Sequence, residues 1–290
     1  MTTTPPRKTS RKNVPQIKLQ NLVLGILVKE KSRILLMFVY FLVNSAAIYW
    51  LSAYLVEHTA YQVYINPTIV LYVRILIMSS PVIIGLLFGV PLLANEYESG
   101  TFQYLFTQGV GRRRLLWAIF GVYLLSIVSF SAMTVISVGH FLTLQRAAQS
   151  TAVNTAQSLT IWSFGNFISH PIVIVPLTIT SFVAGVFFGA LRKRLISGIT
   201  ISILFGIALV LGLQLSLEKA LLFFAQRLYG SHGNPSDAYN SLVASNDSRY
   251  LFRFQVGFAF ALTIFSLILV LGSLRALNSG GFLSKKQPPS

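Results

Sequence analysis

A chain of 290 residues in which 54% are hydrophobic and only 10% charged, with a mean hydropathy of +0.68, is not an ordinary soluble domain, where about a quarter of the residues carry charge. Several charge-free windows run about 20 residues or more, enough at 1.5 Å per residue to cross a hydrocarbon layer roughly 30 Å thick, so the class is an integral membrane protein. The net charge of +16 does not point to nucleic acid, because 17 of the 23 Lys and Arg fall in four clusters at alternate loops, the pattern of short basic loops kept in the cytoplasm.

Residues 1–15 are polar, basic and rich in Pro and Thr, and are expected to form a disordered cytoplasmic tail. Over residues 16–33 the apolar positions Ile17, Leu19, Leu22, Val23, Ile26 and Leu27 recur at helical spacing. This predicts an amphipathic helix lying in the membrane interface, since Lys29, Glu30, Lys31 and Arg33 interrupt the apolar run. The alternative is that it prolongs the first span.

Six spans follow, at about 34–56, 69–94, 115–145, 171–191, 195–217 and 254–274, making residues 34–274 one transmembrane domain. The first is too long for a cleaved signal peptide. Pro81 and Pro91 are expected to kink the second. A polar stretch from Gln145 to Ser169 forms an external loop, with a short interfacial helix around Ile161 to Ile168. A second external region, Glu218 to Arg253, opens with the amphipathic segment KALLFFAQRLY. Residues 275–290 form a cytoplasmic tail. Six crossings place both termini on the inside, in agreement with the charge pattern. The predicted fold class is therefore an all-α integral membrane protein of six transmembrane helices.

In lipid, helices associate where small residues let backbones approach. Gly85 and Gly89 in the second span, Ser181, Gly185 and Gly189 in the fourth, and Gly198, Ser202 and Gly206 in the fifth form such faces. They are candidate helix interfaces, within one subunit or between two.

The polar island from Asn95 to Arg114, NEYESGTFQYLFTQGVGRRR, separates the second and third spans. Glu96 and Glu98 precede a Ser-Gly pair suited to a turn, and Thr101 is placed to cap a short helix carrying Phe102, Tyr104, Leu105 and Phe106. Gln108-Gly109-Val110-Gly111 breaks that helix, and Arg112, Arg113 and Arg114 hold the next span at phosphate depth. The product is a brief helix along the membrane that offers a face to a cytosolic partner.

The run EYESGTFQYLFTQGVGRRRLL resembles the cytoplasmic coupling segment of ABC transporter permeases of the type 2 exporter family. The matching positions are Glu98, Gly100, Thr101, Leu105, Thr107, Arg112 and Arg113. The chain departs from that pattern at Gln108, where many relatives have Pro, and near Ile119, where many have Lys. The resemblance implies a coupling helix, an external re-entrant segment before the last span, and a subunit that pairs with a second permease in a homodimer or heterodimer. It further implies two copies of a cytosolic ATPase carrying ATP and Mg, no cofactor bound by this chain, and outward transport across a prokaryotic plasma membrane. Glu96, Glu98, Gly100, Thr101, Phe102, Leu105 and Thr107 are the residues expected to couple to the ATPase.

Other sites are weaker. No GxxxxGK[ST] loop is present, so ATP hydrolysis by that route belongs to another polypeptide. His58, His140, His170 and His232 show no metal-ligand spacing, and the absence of cysteine excludes disulfides and thiolate sites. Arg74 lies one turn inside the outer end of the second span, where it can snorkel to headgroups or contact substrate. An ion-coupled secondary transporter is the main alternative, but it is expected to carry acidic groups at mid-membrane. Glu57 sits at a span end and the remaining carboxylates lie in loops or flanks. A membrane-embedded enzyme requires convergent His, acidic or activated Ser groups, and the spans contain no such set.

Overall fold

The computed structural model describes residues 19–59, 67–99, 112–151, 171–229 and 248–279, and these are helical with no strand among them. The helices are α1 (Leu19–Thr59), α2 (Pro67–Ile84), α3 (Val90–Glu98), α4 (Arg112–Thr151), α5 (Pro171–Arg192), α6 (Leu195–Tyr229) and α7 (Ser248–Ser279), with a π turn at Gly85–Gly89 joining α2 to α3. Among the described residues five stretches are long and apolar enough to cross a membrane: Gln20–Tyr54, Ser79–Glu98, Trp117–Phe141, Ile172–Arg192 and Gln255–Ala276. In α6 the apolar part among the described residues is the shorter Leu195–Leu209. The expected tails, the loop at 152–170 and its interfacial helix, and the external residues 230–247 lie outside the described residues.

Three expectations change. The predicted boundary at residues 33 and 34 is absent, because α1 runs unbroken for 41 residues through the charged stretch. Its charges do not end the helix because Lys29, Glu30 and Arg33 all find partners within the bundle. Next, residues 218–229, expected to open the second external region, continue α6 without a break. Finally, the second span is interrupted by a π turn, closed by the Val90 N–H donating to the Gly85 carbonyl. Pro91 has no N–H, and its ring would clash with the carbonyl four residues back in a regular helix. A wider turn just ahead of it relieves that clash.

Contact registers fix the direction of each helix. α1 and α4 run parallel, with Glu30 beside Tyr123, Ser45 beside Thr134 and Tyr49 stacked on His140. The α2–α3 span is parallel to α5, since Gly85 meets Ser181 and Val90 meets Gly189. α7 also follows α5, with Thr180 bonded to Ser266 at 2.8 Å and Gly272 against Phe187. α6 opposes α2 and α3, with Gly198 against Val90 and Gly206 against Val82. Hence α1, α4 and α6 cross one way, and α2–α3, α5 and α7 the other.

α5 is the centre of the bundle, touching every other helix except α1 among the main contacts. Accordingly 67% of its span is buried, against 28% for α1. The larger apolar core, around Phe41, Phe88, Phe120, Tyr123 and Phe182, lies towards the charged end. A smaller cluster of Ile48, Ile77, Val138, Phe141 and Ile174 fills the opposite half. Ser and Thr hydroxyls within the spans bond back to carbonyls one turn earlier, as Thr178 does to Ile174 at 2.8 Å, which keeps polar groups satisfied where water is absent.

Candidate functional site

The helix directions bring the basic clusters to one end of the bundle: Lys29 to Arg33 on α1, Arg112 to Arg114 at the start of α4, Arg192 to Arg194 between α5 and α6, and Arg275 on α7. At this end α3 runs out into the polar island. Three acidic side chains sit there, and each is held by this chain.

Glu30 is only 6% exposed. Its Oε2 accepts the Tyr123 hydroxyl at 2.7 Å and the Arg33 guanidinium at 3.0 Å. Tyr123 itself is fully buried and stacks on Phe182, centroids 5.7 Å apart. The result ties α1 to α4 and, through the ring, to α5. A lone buried carboxylate would be costly, and here both a cation and a hydroxyl meet it.

Glu96 is 8% exposed and forms an ion pair with Lys29, Nζ to Oε1 2.6 Å. Among the described residues its Oε2 is buried with no hydrogen-bond partner, and Lys29 is the cation that meets this carboxylate. Glu98 is exposed, and its Oε1 accepts the backbone N–H of Leu195 at 2.8 Å, the first residue of α6. Between these, Tyr97 has the Lys193 ammonium 5.5 Å from its ring centroid. Lys193 adopts a left-handed backbone, φ 55°, the one non-glycine residue with positive φ among those described. Its N–H bonds the Gly189 carbonyl at 3.0 Å, closing the last turn of α5.

The predicted site residues therefore divide. Glu96 and Glu98 are brought together at the root of the island, Glu96 facing into the bundle. Gly100, Thr101, Phe102, Leu105 and Thr107 lie outside the described residues. Arg112, Arg113 and Arg114 open α4, and Arg114 is exposed. Arg74 lies in α2, and its side chain is outside the description. The small faces meet one another within this chain. A Cβ on Gly189 would stand 2.6 Å from the Val90 carbonyl oxygen, and one on Gly185 would strike the Gly85 carbonyl oxygen. Gly89 is equally close to the Phe182 carbonyl, Gly198 and Gly206 abut Val90 and Val82, and Ser202 is buried between them. Among the described residues no group of His and acidic side chains forms a metal site.

Sequence reasoning missed Lys29, Glu30, Arg33, Tyr97, Tyr123 and Lys193 as members of this junction. One signal was present: an acid among lysines and arginines on an otherwise apolar flank has a partner to find.

The model of the family described as ABC-2 membrane transporter related matches residues 43–218. The chain belongs to that family. No curated protein matches it. The matched region of this ABC-2 permease covers the seam between α2–α3 and α5, the island and the α5–α6 turn, and it stops short of Lys29 and Glu30. The family makes the chain a membrane-spanning subunit of an ABC transporter.

Proposed function

We propose that this ABC-2 permease is the transmembrane half of an ATP-driven exporter. It works with a second permease subunit and two copies of a cytosolic ABC ATPase, which binds ATP and Mg and performs the hydrolysis. The basic end faces the cytoplasm of a prokaryotic cell, by the excess of Lys and Arg in inside loops. The segment from Thr101 to Thr107 is the docking element, and Gly100, Thr101, Phe102, Leu105 and Thr107 contact the ATPase. The substrate is hydrophobic or amphiphilic and moves outward.

The observation that carries this reading is the rooting of the island. Glu96 and Glu98, immediately ahead of residues 100–111, are fastened to α1 and α6. Force applied to the docking segment therefore reaches three helices at once, as a coupling element requires. Both buried carboxylates among the described residues, Glu30 and Glu96, lie at the charged end and are paired with cations. That favours structural roles over ion coupling for these two acids.

Purification of the tagged chain from its native membrane in mild detergent tests the proposal. The expected result is co-purification of a soluble ATPase with a phosphate-binding loop, lost in a Phe102→Ala and Leu105→Ala double variant that still inserts in the membrane. A chain that emerges alone and supports ion-gradient-driven flux in vesicles without ATP is instead a secondary transporter.

A further inference from the structure

Only Lys193 and Arg194 separate α5 from α6. The first N–H groups of a helix need acceptors from outside it, and neither Lys nor Arg has an acceptor in its side chain. The α6 terminus takes its acceptor from Glu98, 97 residues earlier in the chain, at 2.8 Å. A carboxylate there also meets the positive end of the α6 dipole. The neighbouring residue, Tyr97, lies beneath the Lys193 ammonium. Two consecutive residues at the end of α3 thus hold Lys193 of the α5–α6 turn and Leu195 at the start of α6. One layer deeper, Val90 faces Gly189 of α5 and Gly198 of α6, where an added Cβ would stand 2.6 Å and 2.7 Å from it.

From this geometry we infer that Glu98 is a positioning residue that makes α6 a driven helix: displacement of the docking segment moves α3 and the start of α6 as one body. The inference rests on the permease reading above and deepens it. α6 is 35 residues long, about 52 Å at 1.5 Å per residue, longer than the roughly 30 Å hydrocarbon layer. A tilt imposed at Leu195 is therefore carried along the helix to Tyr229. The role needs a hydrogen-bond acceptor at position 98, not a charge, and this separates it from a role for Glu98 as a contact on the ATPase.

The chain has no cysteine, so introduced thiols can be spin-labelled without background. Two label pairs are placed in the complex purified with its native ATPase and reconstituted in nanodiscs. Leu35→Cys with Asn95→Cys reports α3 against α1, and Leu35→Cys with Ile203→Cys reports α6 against α1. Distances are measured without nucleotide and with ATP and vanadate. Both are expected to shift in the parent protein. Glu98→Ala should keep the α3 shift and lose most of the α6 shift, whereas Glu98→Gln, whose amide oxygen accepts the same N–H, should restore the α6 shift. An α6 shift unchanged in Glu98→Ala overturns the linkage while leaving the permease reading intact. So does an α6 shift lost equally in Glu98→Gln, which assigns the effect to charge. If neither pair responds to ATP in the parent protein, the permease reading fails and this inference fails with it.

Discussion

Two helix pairs in this bundle are joined in opposite ways. Between α2–α3 and α5 the backbones touch: Gly85, Gly89, Gly185 and Gly189 leave no room for a Cβ. Between α1 and α4 the contact is made by long side chains, with Phe38 and Phe41 around Phe130, Tyr49 stacked on His140 at 4.5 Å, and single polar links at Ser45–Thr134 and Glu30–Tyr123. Lipid tails are as apolar as leucine, so neither pair is driven together by expelling water. The first relies on close van der Waals fit, the second on ring contacts and a few hydrogen bonds. Rings and rotamers readjust when helices slide, but carbonyls a few ångströms apart do not. The seam thus behaves as one body, and the α1–α4 pair is the adjustable partner beside it.

The largest effect that separates the two is expected at the seam. Gly185→Ala drives a methyl group into the Gly85 carbonyl, at a cost of about 2–3 kcal/mol, read as a fall in the thermal unfolding midpoint of the purified protein. Gly121→Ala on α4, where nothing lies within 4 Å, should be neutral or stabilise by up to about 1 kcal/mol. Equal effects at the two sites would erase the comparison.

Within the α1–α4 pair the charged end should dominate. Tyr123→Phe keeps the stack on Phe182 and removes only the hydroxyl bonded to Glu30, an expected loss of about 1.5–2 kcal/mol for a hydrogen bond to a charged group. Between this pair and the seam, Lys29→Ala on α1 strands the Glu96 carboxylate of α3. Because half of the Lys29 side chain is exposed, the cost should be about 1 kcal/mol, below that of a fully buried pair. A double-mutant cycle with Glu96→Gln isolates the pairwise part. The smallest effect belongs to Ser45→Ala, about 0.5 kcal/mol for a 3.3 Å hydroxyl pair inside the bundle.

What the sequence made legible follows the range of the forces involved. The apolar character of the helices was readable because hydropathy is local, and among the described residues five stretches are long and apolar enough to cross a membrane. The basic clusters were readable for the same reason. That residues 19–33 prolong the first span, the alternative reading, was not decided by the sequence, because the residues that hold Lys29 and Glu30 lie 67 and 93 positions away in the chain. No local pattern shows that a charged run has been neutralised from a distance. The glycine faces were visible as small residues at helical intervals, but spacing alone says nothing of which face meets which. Glu98 is the sharpest case. In sequence it is an acidic residue before a turn, and its bond to Leu195 exists only once the α3 end and the α5–α6 turn share one end of the bundle.

The π turn has a consequence in counting. A turn closed from residue i to i+5 holds one residue more than an α turn, so the second span contains one residue beyond what its path through the bundle needs. The surplus is taken up opposite the seam, where Leu87 is 51% exposed, while Gly85 and Gly89 keep their places on α5. Removing Leu87 would keep both flanks in their present register but would bring back the Pro91 clash that the wider turn relieves, whereas removing a residue from α5 would turn everything beyond it by about 100° and pull the glycines out of line. The second span holds its surplus residue where Pro91 needs the wider turn. Its partner α5 has none to spare.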